Sequence, residues 1–224
     1  MLRVEYWSDA LIMPSRVRGY LLYSPPHRGQ NWDLSRPQAI ENYQYFLTTK
    51  DQRIQRLEQY TATWEIPFLL NGDWEEFALF LTKWLLRYSP TIVCHKKSLS
   101  FYSFRPLPLR HREPGVSVLY DVGTAFGETI RKEYGLDWQF YESELVNDPD
   151  DKESFDQHDS GHQEPCIVTG GRGTCPMELV SSWASQMWSR ARMPLRHSTH
   201  ASIEEHYLRS VRAKIRTIED RKHA

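Results

Sequence analysis

The sequence predicts an α+β fold: a small antiparallel or mixed sheet packed against several helices, with a long helix at the C-terminus. Three observations lead there. Apolar residues recur at helical spacing in four or five separated stretches, which argues for amphipathic helices. Between them lie short, β-like runs punctuated by Pro and Gly. The chain has 224 residues with 40% hydrophobic and 25% charged side chains, ordinary globular usage.

Leu2–Trp7 and Val17–Tyr23 read as strands, because apolar and aromatic residues dominate and Pro14-Ser15 and Ser24-Pro25-Pro26 punctuate them. Ser35 is placed to cap a helix that carries Ile40, Tyr43, Phe46 and Leu47, with Ile54 and Leu57 continuing it after a break at Thr48-Thr49. Asn71-Gly72 signals a turn, and Asp73 with Glu76 three residues on forms a capping-box pattern. The stripe Phe77, Phe80, Leu81, Trp84, Leu85 follows, and Ser89-Pro90 is read as the stop. Thr91–Cys94 and Leu99–Phe104 are β-like, and Arg105–Pro114 is a basic, proline-rich connector.

The most readable stretch is Val116–Tyr141. Val118, Val122, Ala125, Phe126 and Ile130 keep one helix face, Gly135 fits a left-handed C-terminal cap, and Leu136–Glu142 alternates as a strand with Leu136, Trp138 and Phe140 on one side. Asn147–Gln163 reads as a solvated acidic loop, Pro165–Thr169 as a strand and Gly170-Gly171-Arg172-Gly173 as a turn. Pro176 suits the first turn of a helix to about Arg190, with Leu179, Val180, Trp183 and Trp188 on its apolar face. A final helix, Thr199–Asp220, carries Ile203, Tyr207, Val211 and Ile215. The chain is read as one domain, 1–224, with residues 1–90 as an N-terminal subregion and 147–163 as the acidic loop.

Net charge is −1, so nothing global calls for nucleic acid. The distribution is uneven. Glu142–Glu164 holds nine acids (Glu142, Glu144, Asp148, Asp150, Asp151, Glu153, Asp156, Asp159, Glu164) against one cation, Lys152, whereas Arg190–Lys222 holds nine cations against four acids. No apolar run is long enough for an export signal or a membrane span. Cys94, Cys166 and Cys175 are odd in number and irregular in spacing, so the expectation is a reduced, cytoplasmic setting without membrane attachment.

Chemistry-bearing motifs are few. His158 and His162, with Asp156 and Asp159, offer metal-ligand types, but Asp159-Ser160-Gly161 is poor helix sequence and the zinc-protease glutamate is missing, so no metal is assigned. His197, His200 and His206 fall on different faces and read as surface histidines. Cys166 and Cys175 flank the glycine-rich turn and are near enough in sequence to meet; both read as structural thiols, with a Cys166–His162 nucleophile as the alternative. The turn before Pro176 lacks the ending of a phosphate loop, and Ser181-Ser182 lacks the nucleophile elbow. Glu75-Glu76 favours a helix N-terminus and Glu204-Glu205 reads as helix surface. The aromatic-basic stretch around Phe101, Tyr102 and Phe104 has the alternation of a half-buried strand. No catalytic residue and no cofactor is assigned.

Gly123 and Gly127, four apart, leave a smooth groove on one helix face, with Glu128 beside it and Trp138 on the strand that follows. The run Asp121–Ile130 continuing through Tyr134-Gly135-Leu136-Asp137-Trp138 resembles a pattern in small, uncharacterised bacterial domains. Some of these sit beside polymorphic toxins as presumed immunity proteins. The resemblance spans about Leu99–Arg190 and implies a non-enzymatic module that binds and neutralises a cognate toxin; the charge distribution, separately, makes Glu142, Glu144, Asp148, Asp150, Asp151, Glu153, Asp156 and Asp159 the expected face toward a basic partner surface. It transfers no catalytic residue. The alternatives are a small hydrolase or nuclease-like enzyme using Glu128, His162 or Cys166, and a structural or regulatory subunit docking its last, basic helix, Ile203–Ile215, into a larger assembly.

Overall fold

The computed structural model describes residues 17, 19–27, 34–70, 74–92, 114–142, 162–169 and 172–192, with isolated helical positions between 205 and 220. Its elements are α1 (Arg36–Thr61), α2 (Trp74–Ile92), α3 (Pro114–Tyr134), β1 (Trp138–Tyr141), β2 (Glu164–Thr169), β3 (Arg172–Thr174) and α4 (Pro176–Arg192). The strands form one antiparallel sheet in the order β1-β2-β3, so the α+β class holds. Leu2–Trp7, the Asp73 cap, Leu99–Phe104, the Arg105–Arg112 connector and the bulk of the acidic segment lie outside the described residues, and the long C-terminal helix does so in all but scattered positions.

Helix α3 is the central element. It packs against α1, α2 and α4, and every side from Ser117 to Glu128 is buried. A helix surrounded this way needs close neighbours, and two glycines supply the room. A Cβ on Gly123 would collide with the Met177 backbone, and one on Gly127 with the Trp138 ring and Pro176. The start of α4 and the first strand residue therefore sit directly on α3. The helix stops where the glycine was expected to stop it: Gly135 has φ +60° and the Leu136 N–H donates to the Arg131 carbonyl at 3.0 Å, the long-range bond of a Schellman cap.

Four tryptophans with described side chains, Trp64, Trp84, Trp138 and Trp183, are all buried. Trp64 stacks on Trp84 at 5.8 Å between centroids, Phe68 meets Trp84 edge-on at 5.5 Å, and Phe126 meets Trp183 at 5.4 Å. Burying one large apolar side chain is worth roughly 1.5–3 kcal/mol, so this chain of rings is a main source of cohesion among α2, α3 and α4.

Several sequence expectations are corrected. Val17–Tyr23 forms no strand among its described residues. Val17, Tyr20 and Tyr23 are buried, a spacing of three, while Leu21 is 52% exposed. The backbone there is satisfied by helix side chains instead of a ladder: Arg53 donates to the carbonyls of Leu21 and Leu22, and the Tyr23 N–H donates to Ser117 Oγ at 2.8 Å. Helix α1 runs unbroken through Thr48-Thr49, and both hydroxyls donate back to the Tyr45 carbonyl within the helix. Helix α2 continues through Pro90 to Ile92, so Thr91 and Ile92 are helical rather than β-like. In β1 the ladder begins only at Trp138, and Tyr141 is buried as well as Trp138, since its ring packs over Gly173 of β3.

Candidate functional site

Among the described residues, three places gather polar or reactive groups: the α1–α3 interface, the open end of the β1–β2 pair, and the base of the β2–β3 hairpin.

Across the α1–α3 interface lie two charged rungs that spacing alone did not point to. In the first, Arg53 of α1 grips Asp121 of α3 with both Nε and Nη2, at 2.6 and 2.7 Å, and the Tyr20 hydroxyl donates to the same carboxylate. The Arg53 guanidinium also lies 5.2 Å from the Tyr23 ring centre. Asp121 is 0% and Arg53 5% exposed, so neither charge is solvated. Burial pushes the Asp121 carboxyl up to about 6, against the pull of Arg53 and Tyr20 toward the charged form. Two buried tyrosines beside it, Tyr20 and Tyr23, are raised by burial first and stay protonated, Tyr20 as a donor to Asp121.

The second rung is built on Glu128. Trp138 Nε1 donates to its Oε1 at 2.6 Å, Lys50 Nζ lies 2.8 Å from the same oxygen, and Arg131 Nε donates to Oε2 at 3.1 Å. Burial works to raise this carboxyl, but the three donors together outweigh it and hold Glu128 below its ordinary value. Glu128 thus has a structural task. It fixes the indole of Trp138 against Gly127 and ties β1 to both helices. A carboxylate saturated with donors and held at low pKa is a weak base at neutral pH.

At the open end of the sheet, Tyr141 pairs with Glu164, and the Gln163 N–H donates to the Tyr141 carbonyl at 2.6 Å. Gln163 reaches this position with φ 57°, unusual for a residue other than glycine. A cavity of about 20 Å³, enough for one water, opens here between Tyr23, Asn42, Tyr43 and Gln163. Glu142 leaves β1 at this end and is held by Arg36 Nε and Nη2 at 2.8 and 2.9 Å. That bond, chiefly, keeps Glu142 below its ordinary value, with His162 adding to it. Glu142 and Gln163, which bracket most of the acidic stretch in sequence, are therefore both held at this end of the sheet. Glu144, Asp148, Asp150, Asp151, Glu153, Asp156 and Asp159, and His158, lie outside the described residues.

At the hairpin base, Cys166 of β2 and Cys175 are both buried and are not joined in a disulfide. A hydrogen bond with Cys166, then burial, pushes the Cys175 thiol well up. The sequence alternatives are thereby separated: Glu128 is bound up with Lys50, Trp138 and Arg131, Cys166 lies in the core beside Cys175, and His162 sits at the sheet end beside Glu142. No group of three or more potential metal ligands occurs among the described residues, and no helix among them is long and apolar enough to cross a membrane. No family model matches the chain, and neither does a curated protein or a solved structure.

Proposed function

We propose that this protein is a binding module of the immunity type, which presents the acidic connection between β1 and β2 to a basic surface on a protein partner and blocks it. The observation that carries the reading is the clamped sheet end. Nine acids in 142–164 face one cation in sequence, and the Gln163–Tyr141 bond and the Arg36–Glu142 pair tether both ends of that stretch to rigid elements. Like charges crowded on a tethered connection raise the local potential and speed encounter with a cationic partner. The resemblance of Asp121–Trp138 to immunity-type domains supports the same reading, and the partner it favours is a toxin with a basic surface.

The test is capture from a lysate of the native host. Wild-type protein is compared with a variant in which Asp148, Asp150, Asp151, Glu153, Asp156 and Asp159 are replaced by Asn or Gln. The expected result is a cationic protein retained by the wild type and lost by the variant, with the thermal transitions of the two proteins coinciding. Equal retention by both would remove the acidic connection from the binding surface.

A further inference from the structure

The β2–β3 register pairs Ile167 with Thr174, and one step further along the same antiparallel register sets Cys166 opposite Cys175. Directly opposed residues in antiparallel strands hold their Cβ atoms roughly 4.5–5.5 Å apart, close to the roughly 3.5–4.5 Å that a disulfide requires. The two thiols already share a hydrogen bond, and their exposures are 0% and 6%. Cys175 immediately precedes Pro176 and Met177, the two residues that seat α4 against Gly127 and Gly123 of α3. We propose that Cys166 and Cys175 form a reversible intramolecular disulfide, a redox modification site that ties β2 to the α3–α4 joint.

The oxidant is a small-molecule disulfide. The Cys175 thiolate, on the less deeply buried of the two residues, attacks it, forms a mixed disulfide and expels one thiolate. Cys166 then attacks the Cys175 sulfur and expels the second. Two cysteine thiols and one small disulfide become one protein disulfide and two small thiols, with both protons carried away on the leaving thiols. The raised Cys175 thiol makes the first step slow at neutral pH and faster as pH rises.

The experiment uses the full chain with Cys94→Ser, which leaves only this pair, incubated with excess oxidised glutathione well below its melting temperature. After denaturation the expected product has no alkylatable thiol, a mass lower by two hydrogens and no glutathione adduct, and dithiothreitol restores both thiols. Adding Cys166→Ser removes the resolving sulfur, and that variant is expected to stop at a glutathione adduct on Cys175. Two alkylatable thiols persisting in the Cys94→Ser protein, or a stable adduct in place of the mass loss, would overturn the proposal.

Discussion

Between α1 and α3, Asp121 and Glu128 are enclosed by protein, and each is met by a guanidinium or ammonium and by a hydroxyl or indole donor. At the sheet end, Glu142 has one exposed arginine, and the stretch it opens carries eight further acids with a single lysine. The contrast separates two uses of the same side chain. A carboxylate shut away from water is tolerated only when paired, because desolvation is expensive. Acids gathered without cations serve attraction at a distance, where pairing would cancel the field. The first set builds the scaffold, and the second is the set we propose the scaffold offers to a partner.

The largest expected effect breaks the first rung. Asp121→Ala leaves Arg53 buried without its counter-charge and is expected to destabilise the fold by about 3–5 kcal/mol in urea unfolding. Replacing both partners, Arg53→Met with Asp121→Leu, should recover most of that loss. A single variant as stable as wild type would show that the rung is dispensable.

Glu128→Gln comes next, with an expected cost of about 1–3 kcal/mol for the donors it leaves poorly matched. Its Trp138 emission should also shift, because the indole N–H loses a charged acceptor. Gly123→Ala is of similar size, about 1–3 kcal/mol, since a methyl there must push the Met177 backbone away from α3. An unchanged midpoint for that variant would contradict the close contact.

The pH dependence distinguishes the two rungs. Asp121 is raised from 3.8 to about 6, so the folded state takes up a proton before the unfolded chain does. Its contribution to stability therefore increases as pH falls from about 6 toward 4 and is constant above 6. Glu128, held low, contributes stability that is present above 4.5 and lost as pH falls through its depressed value. Unfolding midpoints measured from pH 7 to 4 should show wild type gaining on Asp121→Asn across that range. Parallel curves would contradict the raised value. The smallest effect is Arg36→Ala, which should leave stability at the wild-type level because its bond to Glu142 is exposed.

Much of the fold was legible because it rests on local rules. The apolar face of α3, the Gly135 stop, the β2 strand and the Pro176 start of α4 are each written within a few residues. What was illegible depends on partners far along the chain. Glu128 stood out as a polar residue on a packed helix, but Lys50 lies 78 positions before it and no spacing rule joins them. Asp121 sits within the apolar series Val118, Val122, Ala125, seven residues before Glu128, and that embedded acid was the available signal. Val17–Tyr23 misled because aromatic content imitates a strand, whereas its burial spacing of three follows the side chains of α1 and α3 that receive it. Pro90 misled because a proline disfavours helix, yet the helix runs two residues past it to Ile92.

The central claim is that the tethered acids, and not the buried ones, recognise the partner. It is tested most directly by association kinetics with the captured protein over a range of salt concentrations. The association rate is expected to fall steeply as salt rises for the wild type, and to be slow and salt-insensitive for the variant neutralised at Asp148, Asp150, Asp151, Glu153, Asp156 and Asp159. Identical rates and identical salt dependence for the two proteins would contradict it.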